Sequence, residues 1–133
     1  MTVKRIHQRS TLFGIGVDLC HIPRLEKALP RVGRRAFTVA ELARARATAR
    51  AGEYLAGRWA AKEAFLKALG TGISGFITMK TIHVGADAKG RPVIQISRTA
   101  AARLKNIGAG KIHLSITHAG AYAMALVVIE KRR

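Results

Sequence analysis

At 133 residues and 49% hydrophobic content the chain is one domain in size, with enough apolar material for a core. Its single cysteine, Cys20, excludes an internal disulfide framework, and no apolar run is long enough for a membrane span or a signal peptide, so a reducing, cytoplasmic setting is expected. A net charge of +17 calls for a polyanionic partner: nucleic acid, anionic lipid, an acidic protein or a phosphorylated cofactor.

Residues 1–10 carry Lys4, Arg5 and Arg9 with little apolar pattern and read as a basic arm or a frayed terminus. Residues 11–19, TLFGIGVDL, form a short apolar run with two glycines and predict a buried strand that delivers Asp18 to its end. Gly14 and Gly16 leave room beside it, but no third glycine opens the next helix, so this is no dinucleotide fingerprint. Residues 22–32 predict a helix with Pro23 in its first turn, Ile22, Leu25 and Leu29 on one face, and Arg24, Lys27 and Arg31 exposed. Pro30 is expected to shorten it. Thr38-Val39-Ala40-Glu41 is a capping box that should open a helix toward Arg50, with Gly52 separating it from the next.

The stretch 54–73, YLAGRWAAKEAFLKALGTGI, predicts the central helix, closed by Gly70 and Gly72. Leu55, Trp59, Leu66 and Leu69 share a core face. A second face carries Ala56, Ala60, Glu63 and Lys67, small-walled and open to a bulky neighbour; Arg58 and Lys62 project elsewhere, one turn apart. Glu63 and Lys67 taken alone are an ordinary solvated i,i+4 ion pair.

Ile77, Met79, Ile82 and Val84 then predict a strand, Asp87 to Gly90 a turn, and Pro92 to Ile96 a returning strand. Ser97 caps a short helix from Thr99 to Ile107, closed by Gly108 and Gly110. Ile112, Leu114 and Ile116 alternate with His113, Ser115 and Thr117; after a turn at Ala119-Gly120, residues 122–129 are nearly all apolar, as in a strand buried on both faces. The fold class is α+β: one domain, residues 1–133, with N-terminal helices packed on an antiparallel sheet.

Asp18, the Glu63–Lys67 pair and the Ser115 to His118 strand end are the unusual pieces. Two carboxylates without further acid suit one Mg²⁺, which takes one or two carboxylates plus water and substrate phosphates; surrounding Lys and Arg then hold the rest of a polyphosphate. Aromatics are only 5% and do not interleave with the basic clusters, and no zinc-finger or RNP spacing occurs, so a small basic nucleic-acid-binding protein is the weaker alternative.

GIGVDLCHIPRL (14–25), RWAAKEAFLKALGTGI (58–73) and LSITHAGAYAMALVVIE (114–130) resemble, in order and separation, the three signature blocks of the holo-[acyl-carrier-protein] synthases, the small bacterial-type 4'-phosphopantetheinyl transferases. Gly90-Arg91-Pro92 resembles that family's hairpin. The resemblance covers the chain from about Phe13 to Glu130 and implies a 4'-phosphopantetheinyl transferase fold. It implies that coenzyme A gives its 4'-phosphopantetheine arm to a serine of apo acyl carrier protein, releasing 3',5'-ADP, in fatty acid biosynthesis. Asp18 and Glu63 then match the Mg²⁺ ligands and, with Lys67, the catalytic set; Arg58, Lys62 and Lys67 fit phosphate contacts, Gly72 and Pro92 lie along the coenzyme, and His118 approaches its phosphates. Arg24 matches a position that contacts the acidic carrier, which gives the positive charge a use, and the family works as a homotrimer with sites between subunits.

His21 stands where the family usually has Glu, and Ala119 where many members have an acid. The serine's base is left open among Glu63, a metal-bound water and a pyrophosphate oxygen, and Cys20 is read as packing.

Overall fold

The computed structural model describes residues 10–70 and 77–133; residues 1–9 of the basic arm and Gly72 lie outside the described residues. In chain order the elements are β1 (Leu12–His21), α1 (Ile22–Ala36), α2 (Val39–Arg46), α3 (Ala51–Leu69), β2 (Ile82–Ala86), β3 (Pro92–Ile96), α4 (Arg98–Asn106), β4 (Ala109–Ala119) and β5 (Tyr122–Lys131), with a 3₁₀ turn at Met79–Thr81. Strands β1, β5 and β4 form one antiparallel sheet in that order, and β2 and β3 a separate hairpin. The α+β class with helices on antiparallel sheets is therefore present.

Helix α3 is the centre of the packing. Leu55, Ala56, Ala60, Ala61, Ala64, Phe65, Leu66, Ala68 and Leu69 are all buried. The closest backbone approach is not on the face of Ala56, Ala60, Glu63 and Lys67 but beside it, where β1 meets Ala64 and Ala68. An added Cβ at Gly14 would stand 1.8 Å from the Ala68 carbonyl oxygen, and one at Gly16 would stand 1.9 Å from that of Ala64. The room beside the strand is thus filled by helix, not ligand. Farther back along α3, Gly57 faces Ile116 and His118 of β4. The helix therefore crosses the sheet obliquely, from β4 near its start to β1 near its end.

Register follows the two-residue period. Gly14, Gly16, Asp18 and Cys20 pair with Ile129, Val127, Ala125 and Ala123, on the face covered by α3. Ile15, Val17 and Leu19 pair with Val128, Leu126 and Met124 on the opposite face. That face is open: Ile15 is 62% exposed, Leu19 59% and Leu126 40%. Strand β5, expected to be buried on both faces, is covered on one only within a single chain.

Other expectations are corrected. Pro30 does not shorten α1, which runs on to Ala36, because Pro30 and Glu26 both face solvent and water can serve the carbonyl that loses its donor. The Thr38–Glu41 capping box forms, but α2 stops at Arg46, and Gly52 lies in the first turn of α3 instead of between helices. Gly70, in the left-handed region at φ 73°, closes α3 as expected. The strand expected from Ile77 begins at Ile82, the preceding residues being tightened by reciprocal Thr78 and Thr81 hydrogen bonds. No helix among the described residues is long and apolar enough to cross a membrane.

Candidate active site

Strand β1 and helix α3 bring three of the expected residues together. The Lys67 ammonium donates to Asp18 Oδ1 at 3.0 Å and to the Val17 carbonyl oxygen at 3.0 Å. The pair is not a buried lock, since the lysine side chain is 55% exposed. Glu63, one turn before Lys67, is half-buried. Burial pushes its carboxyl pKa up, the negative charge of Asp18 adds to that, and Lys67 opposes it. The i,i+4 spacing of Glu63 and Lys67 therefore serves a third residue from another element, and the simple solvated pair is not what forms. Two hard carboxylates, one of them held above its ordinary pKa by burial and then by the charge of the other, suit a divalent cation such as Mg²⁺. Among the described residues no group of three or more His, Cys, Asp or Glu is gathered, so other oxygens must complete any coordination.

Arg58 lies with its guanidinium carbon 4.0 Å from the centroid of the Tyr54 ring, one turn earlier on α3. Its Nε is buried and, among the described residues, lacks a hydrogen-bond partner. An unmet donor of this kind is costly and is relieved by an anion. His118 projects from β4 to the α3 face, where its Nε2 donates to the Glu53 carbonyl oxygen at 3.1 Å. A carbonyl only accepts, so Nε2 carries the proton. His118 is two strands away from Asp18, about 10 Å across the sheet. The structure therefore does not bring His118 to the carboxylates within one chain. Pro92 opens β3, on the hairpin that lies against β4.

Lys62 is the correction. Expected at a phosphate, it is wholly buried, and its ammonium donates to the Glu41 carboxylate at 2.6 Å, the Ala36 carbonyl at 2.7 Å and the Met79 carbonyl at 2.8 Å. All its protons are taken, and none reaches an outside ligand. The helical wheel alone placed it away from Glu63 but not inward. Its partner Glu41 was visible only as a capping-box acid; nothing local in the sequence tells a solvated Glu from a buried one.

Arg24 is exposed on α1 and lines a cavity of about 740 Å³ together with Leu19, His21, Arg31, Trp59 and Tyr122. The cavity is lined by the residues that follow Asp18 on β1, while Asp18, Glu63 and Lys67 do not line it. His21, the departure noted above, stacks obliquely on Tyr122 with ring centroids 5.1 Å apart. The Cys20 thiol lies beside Asp18, and burial followed by that charge pushes its pKa to about 11, which keeps it a packed, unreactive thiol.

A strand-borne acid is thus paired with a Lys one turn from a Glu on the helix that crosses the same sheet. The chain matches the 4'-phosphopantetheinyl transferase superfamily over residues 14–127, and it belongs to that superfamily. Its branch is that of the holo-[acyl-carrier-protein] synthases. A synthase of that name from Vibrio cholerae serotype O1 is 42% identical over 125 residues, covering 91% of this chain and 99% of the relative. One from Koribacter versatilis is 37% identical over 123 residues, covering 90% and 98%. The crystal structure of the Neisseria meningitidis holo-[acyl-carrier-protein] synthase is similar with a TM-score of 0.83 at 34% identity, covering 90% of this chain and 99% of that one. The synthase from Bacillus anthracis, in complex with CoA (3',5'-ADP), gives 0.75 at 36% identity, covering 90% and 97%.

Proposed function

We propose that this chain, acting as one domain, transfers 4'-phosphopantetheine from coenzyme A to a serine of apo acyl carrier protein, with Mg²⁺, in cytoplasmic fatty acid biosynthesis. The observation that carries the reading is the meeting of Asp18 with Lys67 beside Glu63, in a chain of this superfamily. The serine oxygen bonds to the phosphorus that bears the pantetheine arm. The bond from that phosphorus to the bridging pyrophosphate oxygen breaks, and 3',5'-ADP leaves. Asp18 and Glu63 would hold the cation, which when bound would neutralise pyrophosphate charge and stabilise the departing phosphate. Lys67 orients Asp18 and faces the phosphates with its exposed side. The serine proton passes to a carboxylate or pyrophosphate oxygen of the site. Arg58 offers its unmet donor to a phosphate oxygen, Gly72 and Pro92 lie along the coenzyme, and Arg24 meets the acidic carrier at the cavity mouth.

The working unit in this reading is a homotrimer. Asp18, on β1, and His118, on β4, stand on opposite edge strands of one sheet. A trimer that sets the β1 edge of one copy near the β4 edge of the next lets one coenzyme touch both, and packing the open apolar sheet faces of the copies against one another removes those faces from water. The direct test is incubation with coenzyme A, Mg²⁺ and apo carrier protein, followed by mass spectrometry of the carrier. A gain equal to the phosphopantetheine arm is expected. An unchanged carrier, with salt-sensitive polynucleotide binding instead, would overturn the reading.

A further inference from the structure

Lys62 is a fully buried charge that the transfer reaction does not use. Its three bonds reach the last residue of α1, the acid of the α2 capping box and the start of the 3₁₀ turn. Glu41 is as fully bonded: Oε1 also accepts from the Thr38 amide at 2.8 Å, and Oε2 accepts from the Val84 amide at 2.9 Å. The pair thereby ties α1, α2, α3, the 3₁₀ turn and β2 at one point. Burial lowers the lysine's pKa while Glu41 opposes the shift. A well-packed apolar pair would serve stability as well or better, so stability alone does not account for an ion pair here.

What the pair constrains is the roll of α3. The contacts of Gly14 and Gly16 with Ala68 and Ala64 hold the helix on one side. Lys62 holds it on another, through acceptors whose directions are set by three separate elements. Glu63 is the next residue, on a side chain that reaches about 6 Å from the helix axis, so a roll of about 20° would displace its carboxylate by about 2 Å. We propose that Lys62 is a positioning residue for the transfer reaction: clamped by Ala36, Glu41 and Met79, it fixes the rotation of α3 and so holds Glu63 in place beside Asp18. The proposal rests on the transferase reading. It assigns the middle signature block two functions: Glu63 and Lys67 at the site, and Lys62 beneath it.

Lys62→Met alone strands the buried Glu41 carboxylate, so it confounds folding with position. The informative variant is Lys62→Met with Glu41→Gln, which removes both charges, compared with Glu41→Gln, which keeps the ammonium and its two carbonyl bonds but leaves it without a counter-ion, so each kcat is read on protein that its melt shows to be folded. Each is assayed beside the parent for melting temperature, coenzyme A dissociation constant by calorimetry, and steady-state kcat and KM. The double variant is expected to melt within about 5 °C of the parent. It should bind coenzyme A within about threefold of the parent and lose about tenfold or more in kcat, because a small misplacement of a reacting group is costly. Glu41→Gln should keep kcat within about threefold. A folded double variant with parental kcat would overturn the proposal, and so would one that fails to fold, since the pair would then be holding the fold itself. A coenzyme A affinity weakened about tenfold at unchanged kcat would return Lys62 to the phosphates and overturn it equally. Parental turnover in the same assay separates failure of this proposal from failure of the transferase reading; without that turnover both fall.

Discussion

At Glu63, function and stability oppose one another. Its pKa is raised in the folded chain, so folding takes up a proton between the ordinary glutamate value and the raised one. Stability from this group therefore grows as pH falls through that window and is lost as pH rises. Glu63→Gln should abolish most transfer, about 100-fold or more, while its melting temperature without metal at neutral pH equals or exceeds the parent's. A clear drop in melting temperature would mean that the carboxylate holds the fold. Asp18→Ala should lose transfer to the same degree, measured by carrier mass, and Lys67→Ala less, since other cations remain near the phosphates. Parental turnover by the Asp18 variant with Mg²⁺ present would refute the shared-cation reading. The sequence made these residues visible because their spacing is local: Glu63 and Lys67 stand one turn apart, and Asp18 ends an apolar run. Lys62 has the same one-turn relation to Arg58, yet it is buried. Its fate depends on Ala36, Glu41 and Met79, each far from it along the chain.

Among the elements, the β1–α3 contact sets where the carboxylates meet. A methyl group at Gly16 would stand 1.9 Å from the Ala64 carbonyl oxygen and 2.7 Å from the Ala68 amide, both main-chain atoms that cannot swing aside. Gly16→Ala should cost about 3 kcal/mol or more, or prevent folding, as measured by thermal or denaturant melts. Gly33, inside α1, has open space where its Cβ would go, so Gly33→Ala should instead stabilise by up to about 1 kcal/mol. Equal effects at the two positions would contradict the packing described. The pattern of glycines in the strand and alanines in the helix was legible as smallness on both elements. That the two smooth faces belong to each other is a pairing of distant segments, which periodicity does not state.

For the whole molecule the open sheet face and the proposed division of the site between copies are open to one test. If each site takes Asp18 from one copy and His118 from the next, Asp18→Ala and His118→Ala proteins should each be inactive alone. Unfolding and refolding them as an equal mixture should restore about a quarter of the sites. No recovery, or a fully active monomer in sedimentation, would sink the trimer. The basic surface has its own test. Arg24→Glu should raise the carrier's KM about tenfold while leaving that of coenzyme A unchanged, because charge reversal at a docking rim mainly slows encounter. Added salt should imitate it in the parent through screening. A defect confined to coenzyme A would move Arg24 into the phosphate cradle.

Sequence alone determined the elements whose cause is local: the capping box at Thr38, the glycine stop at Gly70, the alternation of β4, and the three blocks that mark the family. It also determined that β5 carries apolar residues on both faces, a property of composition and period. Only the tertiary structure decided which of those faces stays open, because that depends on α3 covering Ala123, Ala125, Val127 and Ile129 and on nothing among the described residues covering Met124 and Leu126. It also decided the fate of the lysines. Lys67 emerges at the end of α3 where β1 supplies Asp18, whereas Lys62 turns into a ring of acceptors from three other segments. Both are lysines on one helix, and the sequence writes them alike; burial is a property of what surrounds a side chain, and those surroundings exist only once the distant segments have packed.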